Sequence, residues 1–173
     1  MSGPLPDRID PLRLAESGRE LRGSLPLAAL QRLVPSLHDT EGVVEVELSG
    51  TKEGRIRRLD GHLVTTLKMV CQRCLEPMTL PVEVRFRLGL VTSEEQAERL
   101  PEALEPLLIT EPTLLLAELI EDELILALPI VPLHPADSAC AAQIPVVQAE
   151  PEEPDEEPRK NPFAVLSQLK NSH

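Results

Sequence analysis

Two cysteines, Cys71 and Cys74, stand between two long runs of alternating side chains, and this arrangement constrains the chain more than any other feature. Before them, Leu63, Thr65, Leu67 and Met69 alternate with Val64, Thr66, Lys68 and Val70. After them, Leu80, Val82, Val84, Phe86, Leu88 and Leu90 alternate with Pro81, Glu83, Arg85 and Arg87. Side chains in a strand point to opposite faces at a period of two, so each run reads as a strand with one buried face. Two such strands separated by a short polar link predict a long antiparallel hairpin. Its tip holds Cys71-Gln72-Arg73-Cys74-Leu75-Glu76-Pro77.

The rest of the chain supplies partners for that hairpin. Pro4, Pro6 and Pro11 argue against regular helix in the first dozen residues. Ser24 and Pro26 followed by Leu27, Leu30 and Val34 predict a short helix over 25–33, stopped by Pro35. Val44, Val46 and Leu48 alternate with Glu45 and Glu47 and predict a strand, followed by a turn over 49–54. Ser93 caps a helical turn or two that Pro101 ends, and 107–110 reads as a short strand. Thr113 is the expected cap of the main helix, 114–128, which Pro129 ends. Leu116, Leu119, Ile120, Leu124 and Ala127 form its apolar stripe, with Glu118, Glu121 and Asp122 toward solvent. The expected fold is therefore α+β: an antiparallel sheet or half-barrel, the long hairpin with its Cys-x-x-Cys tip, and one main helix packed on the sheet. Residues 1–140 form that single domain. The Glu- and Pro-rich stretch 141–159 is read as a disordered acidic linker, since like charges and prolines cannot build a core. Residues 160–173 are read as a short helical docking motif, with Asn161 and Pro162 as start signals and Phe163, Leu166 and Leu169 on one side; the alternative is that they fold back onto the chain's own sheet.

Charge narrows the class of function. The net charge of −12 is unevenly spread: residues 55–87 carry seven basic and three acidic side chains, whereas residues 88–149 carry one basic and eleven acidic ones. A general nucleic-acid binder is basic across its binding domain, and this chain is not. Its acidic portions suit a basic partner such as a ribosomal protein. With no Trp, no Tyr and two Phe, the chain cannot build an aromatic platform for stacking bases. Any RNA contact would go to phosphate, through Arg55, Arg57, Arg58, Lys68, Arg73, Arg85 and Arg87. The plain alternative is that these cations are an ordinary solvated face. The first residues lack the apolar core of a secretory signal, and the most apolar stretch, 114–133, is interrupted by acids, so a cytoplasmic location with no membrane span is expected.

Three readings of the cysteines stay open. Cys71, Cys74, His134 and Cys140 could supply the four ligands of a structural zinc site. Cys71 and Cys74 could instead form a redox pair, although such motifs open a helix and a strand follows here. Or the tip is simply reduced and metal-free, its cysteines packing as small apolar groups. No pattern of nucleophile with general base, and no phosphate-binding glycine loop, points to an enzyme. The carboxylates of the main helix lack a clustered His and read as its solvated face.

Three segments in order carry a family resemblance: Cys71-Gln72-Arg73-Cys74-Leu75-Glu76-Pro77, then Glu121-Asp122-Glu123-Leu124-Ile125-Leu126-Ala127-Leu128-Pro129-Ile130-Val131-Pro132-Leu133-His134, then Asn161-Pro162-Phe163-Ala164-Val165-Leu166-Ser167-Gln168-Leu169-Lys170. In this the chain resembles the YceD family of large ribosomal RNA subunit accumulation proteins. The resemblance implies a non-enzymatic role in the synthesis, processing or stability of 23S rRNA. It also implies ribosomal protein L32 as a partner. Some members carry extra cysteines after the Pro-Leu-His segment, where this chain offers only His134 and Cys140. Two other functions compete with this expectation. One is a chaperone for a basic ribosomal protein with no RNA contact, and the other is a thiol redox sensor built on Cys71 and Cys74.

Overall fold

The structure, a computed structural model, describes residues 5–136, 138 and 140. Its first helix falls where the prolines argued against one. Strand β1, Arg8–Ile9, leads into α1, Pro11–Ser17. The Asp10 side chain accepts from the Arg13 N–H, Pro11 occupies the first turn, and Gly18 closes the helix at φ 61°. Proline costs a helix nothing at its first positions, where the N–H has no partner anyway. Pro11 therefore starts the helix rather than preventing it.

The helix expected over 25–33 is also corrected. Strand β2, Glu20–Pro26, runs into that stretch, and single 3-10 turns follow at Leu27–Ala29 and Val34–Ser36. Leu27, Leu30 and Leu33 are fully buried. A spacing of three suits a 3-10 turn as well as a helix, and pairing of Leu25 with Val44 decides for strand.

Three long strands follow, with the alternation read from the sequence. Strand β3 is Val43–Glu53, β4 is Ile56–Val70 and β5 is Pro77–Val91. The turn expected over 49–54 is tighter, because β3 continues to Glu53 and Gly54 turns the chain at φ 61°. Strands β4 and β5 form the predicted long hairpin, in register from Arg58↔Gly89 to Val70↔Pro77. After β5 the chain makes the short α2, Glu94–Ala97, and returns as β6, Glu105–Leu108. Strand β6 pairs with β5 in parallel, so the sheet is mixed and not wholly antiparallel. A parallel neighbour requires a crossover, and residues 92–104 supply it. The sheet order is β2-β3-β4-β5-β6. A small second sheet pairs β1 with β7, Leu114–Leu115.

The main helix, α3, is Leu116–Ala127. Its first two expected residues belong to β7. Thr113 does not cap it; the Thr113 hydroxyl accepts from Arg8 Nε at 2.9 Å instead. Leu116, Leu119, Ile120 and Leu124 are buried as expected, whereas Ala127 is exposed. Glu121 departs most: it is 3% exposed, not solvated. Its carboxylate accepts from the Arg32 backbone N–H at 2.8 Å and from Arg32 Nε at 2.9 Å. Arg32 also reaches Asp122 at 2.7 Å and the Glu118 carbonyl at 2.8 Å. The carboxylates beside it, Glu121 first and Asp122 second, hold the guanidinium above its ordinary pKa.

One face of the sheet makes the core. Val44, Val46, Leu48, Leu59, Leu63, Leu67, Met69 and Leu88 lie on it, under α1 and α3. Two glycines permit the close approach. A Cβ on Gly50 would stand 2.4 Å from the Leu14 backbone of α1, and one on Gly61 would stand 2.0 Å from the Phe86 ring across the hairpin. The opposite face carries Arg22, Glu47, His62, Glu83 and Arg85, as the alternation demands.

Candidate metal centre

The hairpin tip is closed from outside itself. Residues after α3 return to it as a strap. The Gln72 N–H donates to the Pro132 carbonyl at 2.8 Å, and the His134 N–H to Cys71 Sγ at 3.4 Å. Within the tip, the Leu75 N–H donates to the Cys71 carbonyl at 2.9 Å, and Leu75 takes the left-handed conformation at φ 63°. That conformation costs a non-glycine residue about 1 kcal/mol, yet the Leu75 side chain stays 71% exposed.

This folding brings Cys71, Cys74, His134 and Cys140 together. Their four donor atoms all lie within 4.8 Å of one another, a spacing that could hold a metal ion. Cys71 Sγ lies 3.7 Å from Cys140 Sγ, and Cys74 Sγ lies 3.4 Å from His134 Nδ1. Tetrahedral zinc has Zn–S bonds of about 2.3 Å and Zn–N bonds of about 2.0 Å, which place S–S edges near 3.8 Å and S–N edges near 3.5 Å. The two measured edges match. The cysteines are free thiols. The far ring nitrogen, His134 Nε2, lies 3.3 Å from the Pro77 carbonyl, which accepts its proton when Nδ1 is the ligand. Metal-binding histidines characteristically have such an outer partner, which fixes the tautomer.

The electrostatics of the tip favour one preformed thiolate. Burial pushes the Cys71 thiol up. The backbone N–H groups of Cys74, His134 and Arg73, with the Cys140 thiol, outweigh it and bring Cys71 down to about 5. Burial, with Cys74 and Cys71 as neighbours, pushes Cys140 up to about 11. A single negative sulfur ringed by N–H donors is a starting point for cation capture. Cys71 is wholly buried and a strand, not a helix, follows the pair. Neither feature suits an exchange-active dithiol, which needs access and a helix N-terminus.

Four of the seven predicted cations meet carboxylates. Arg57 pairs with Glu16 of α1 at 2.9 Å, on the helix side. Arg58 is held by Asp60 at 2.8 Å and faces Glu53 at 3.7 Å. Lys68 is bridged by Asp39 at 2.9 Å and Glu41 at 3.1 Å, which raise its pKa in that order. Arg85 binds Glu83 at 2.8 Å, and Arg85 and then His62 hold that carboxyl below its ordinary pKa. Arg73 points to the cysteine–histidine cluster, with Nη1 4.0 Å from Cys140 Sγ. Among the described residues, only Arg55, Arg73 and Arg87 of the seven have no ion pair. Phe163, Leu166 and Leu169 lie outside the described residues, as does the linker over 141–159. No helix among the described residues is long and apolar enough to cross a membrane.

The family model for the large ribosomal RNA subunit accumulation protein YceD matches residues 59–170. The chain belongs to the YceD family. It is 35% identical over 169 residues to the large ribosomal RNA subunit accumulation protein YceD of Haemophilus influenzae, covering 96% of each chain. No solved structure matches it. In YceD terms the matched region begins in β4 and includes all four candidate ligands. Sequence reading missed the Arg32–Glu121 pair altogether. Nothing in a periodic helix marks one acid among four for burial.

Proposed function

We propose that this protein supports the accumulation of 23S rRNA in large-subunit biogenesis by binding and not by catalysis. The observation carrying this reading is its 35% identity, across 96% of both chains, to a curated large ribosomal RNA subunit accumulation protein. Charge points to the kind of partner. Residues 88–149 carry one basic and eleven acidic side chains, and α3 displays Glu118 and Asp122 outward. A basic ribosomal protein complements that surface, and ribosomal protein L32 is the candidate the family resemblance supplies. Direct RNA contact is secondary. It falls to Arg55, Arg73 and Arg87, whose charge is not already matched by a described carboxylate. Phe163, Leu166 and Leu169 are proposed to dock on the ribosomal partner in helix-in-groove fashion.

Zinc fits the tip, with Cys71, Cys74, His134 and Cys140 as ligands. When bound it would supply cross-linking of the strap to the hairpin, with no open position for chemistry. Depletion of the protein is expected to lower 23S relative to 16S rRNA. An unchanged ratio with normal precursor ends overturns the ribosomal reading. Purified protein mixed with L32 and, separately, with 23S fragments decides between the two partners. Binding to L32 alone favours the chaperone form of this function.

A further inference from the structure

Strand β5 has one long edge that nothing described covers. The ladder to β4 fixes which groups lie on it. The Cys71 N–H donates to the Glu76 carbonyl, which sets the alternation of bonded pairs along the hairpin. Even-numbered residues of β5 then bond to β4, and odd-numbered ones point their N–H and carbonyl away. Two independent contacts agree. The Val91 carbonyl accepts from Ile109 on that side, and the Pro77 carbonyl faces His134 Nε2. Pro77 and Pro81 both occupy odd positions, where a missing N–H leaves the ladder intact.

Strand β6 covers the edge only from Leu88 onward, and His134 occupies it at Pro77. Between these stops lies a slot over residues 79–87, about 26 Å long at about 3.3 Å per residue. The Arg87 carbonyl already accepts from the Glu105 N–H, as the Leu88↔Glu105 pairing requires. The slot presents the N–H groups of Thr79, Glu83, Arg85 and Arg87 and the carbonyls of Thr79, Pro81, Glu83 and Arg85. Among the described residues none of these backbone groups has a partner. Rows of unpaired backbone groups are templates for strand addition. The other long edge, β2, is weaker for this purpose, with Gly23 at its centre and Pro26 at its end.

The two faces of the slot specify an occupant. On the core side Leu80 and Val84 are half-buried, packed on the core yet open at the edge. On the other side Arg85 is 72% exposed, and Arg87 is exposed with no described ion pair. Glu83 lies on that side as well and pairs with Arg85, which leaves one positive charge in excess, on Arg87, so a carboxylate placed there is favoured over a lysine or arginine. We propose that residues 79–87 receive an extended segment of a partner protein as an added strand, its alternate residues apolar toward Leu80 and Val84 and acidic toward Arg85 and Arg87. The backbone supplies affinity and the alternating side chains supply choice. This goes beyond the ribosomal reading and stands or falls separately from it.

The test uses the full-length protein and a fluorescein-labelled nine-residue peptide alternating valine with glutamate. Saturable binding is expected in fluorescence anisotropy. A lysine-for-glutamate peptide should bind at least about tenfold more weakly, as should one N-methylated at alternate backbone nitrogens. Arg85→Pro removes one edge donor without touching the β4 ladder and should weaken binding by a similar factor. Circular dichroism checks that this variant is folded, and Arg85→Glu/Arg87→Glu provides a second test that leaves the backbone intact. Amide exchange gives an independent readout. In the free protein Glu83, Arg85 and Arg87 should exchange fast and Val82, Val84 and Phe86 slowly, and the peptide should slow the first group. Absence of saturable binding, equal binding of the N-methylated peptide, or slow exchange of Glu83 and Arg85 in the free protein overturns the proposal.

Discussion

Two residues show how single positions shape this molecule. Gly61 is the only residue type that fits opposite Phe86, because a Cβ would stand 2.0 Å from the ring. Gly61→Ala is therefore expected to destabilise the protein by about 2–3 kcal/mol, with partial recovery in Gly61→Ala/Phe86→Leu; urea midpoints measure both. Cys71 works through charge. Its thiol, brought down to about 5 from an ordinary 9, should appear in the metal-free protein as one thiolate absorbing near 240 nm as pH rises through 5. The group is depressed in the folded state, so its stabilising contribution is complete above pH 9 and is lost as pH falls toward 5. Cys140, pushed up to about 11, contributes with the opposite sign: its part is intact below 9 and lost as pH rises through 11. Cys71→Ser should erase the absorbance step near 5.

At the scale of elements, the junction of α3 with the 27–37 segment depends on Arg32 meeting the buried Glu121. Arg32→Ala leaves the buried Glu121 carboxylate without its counter-charge, held by the residue-32 backbone N–H. The expected loss is about 2 kcal/mol, below that of a fully buried pair because Arg32 is half-exposed. Arg32→Ala/Glu121→Leu should recover most of it, since an apolar replacement leaves no unpaired charge. Denaturant unfolding of the three proteins decides the matter. The same elements mark how far periodicity reads. The β3, β4 and β5 alternations and the α3 stripe were legible because a repeated face must be buried somewhere. Glu121 was not, because its burial depends on an arginine 89 residues away. Pro11 was misread as a breaker because its effect depends on position within the helix, not on its presence.

For the whole molecule, the cluster of Cys71, Cys74, His134 and Cys140 ties the end of the described chain to its sheet. Purified protein is expected to hold one zinc per chain. Removing it with a chelator should lower the thermal midpoint by at least about 5 °C. Cys140→Ser should lose most of the bound metal yet keep its sheet signal in circular dichroism, because Cys140 takes no part in the ladders of the sheet. A metal-free preparation with an unchanged midpoint on chelation would remove zinc from the account. By itself the sequence determined the long hairpin, its cysteine tip and the uneven charge, because alternation, ligand spacing and composition are local properties. Only the tertiary structure decided that the strap brings His134 and Cys140 to Cys71 and Cys74, that four of the seven predicted cations meet carboxylates, and that β6 stops short and leaves an edge open. Each of these is set by which distant segments come to lie beside one another, and no local pattern encodes that.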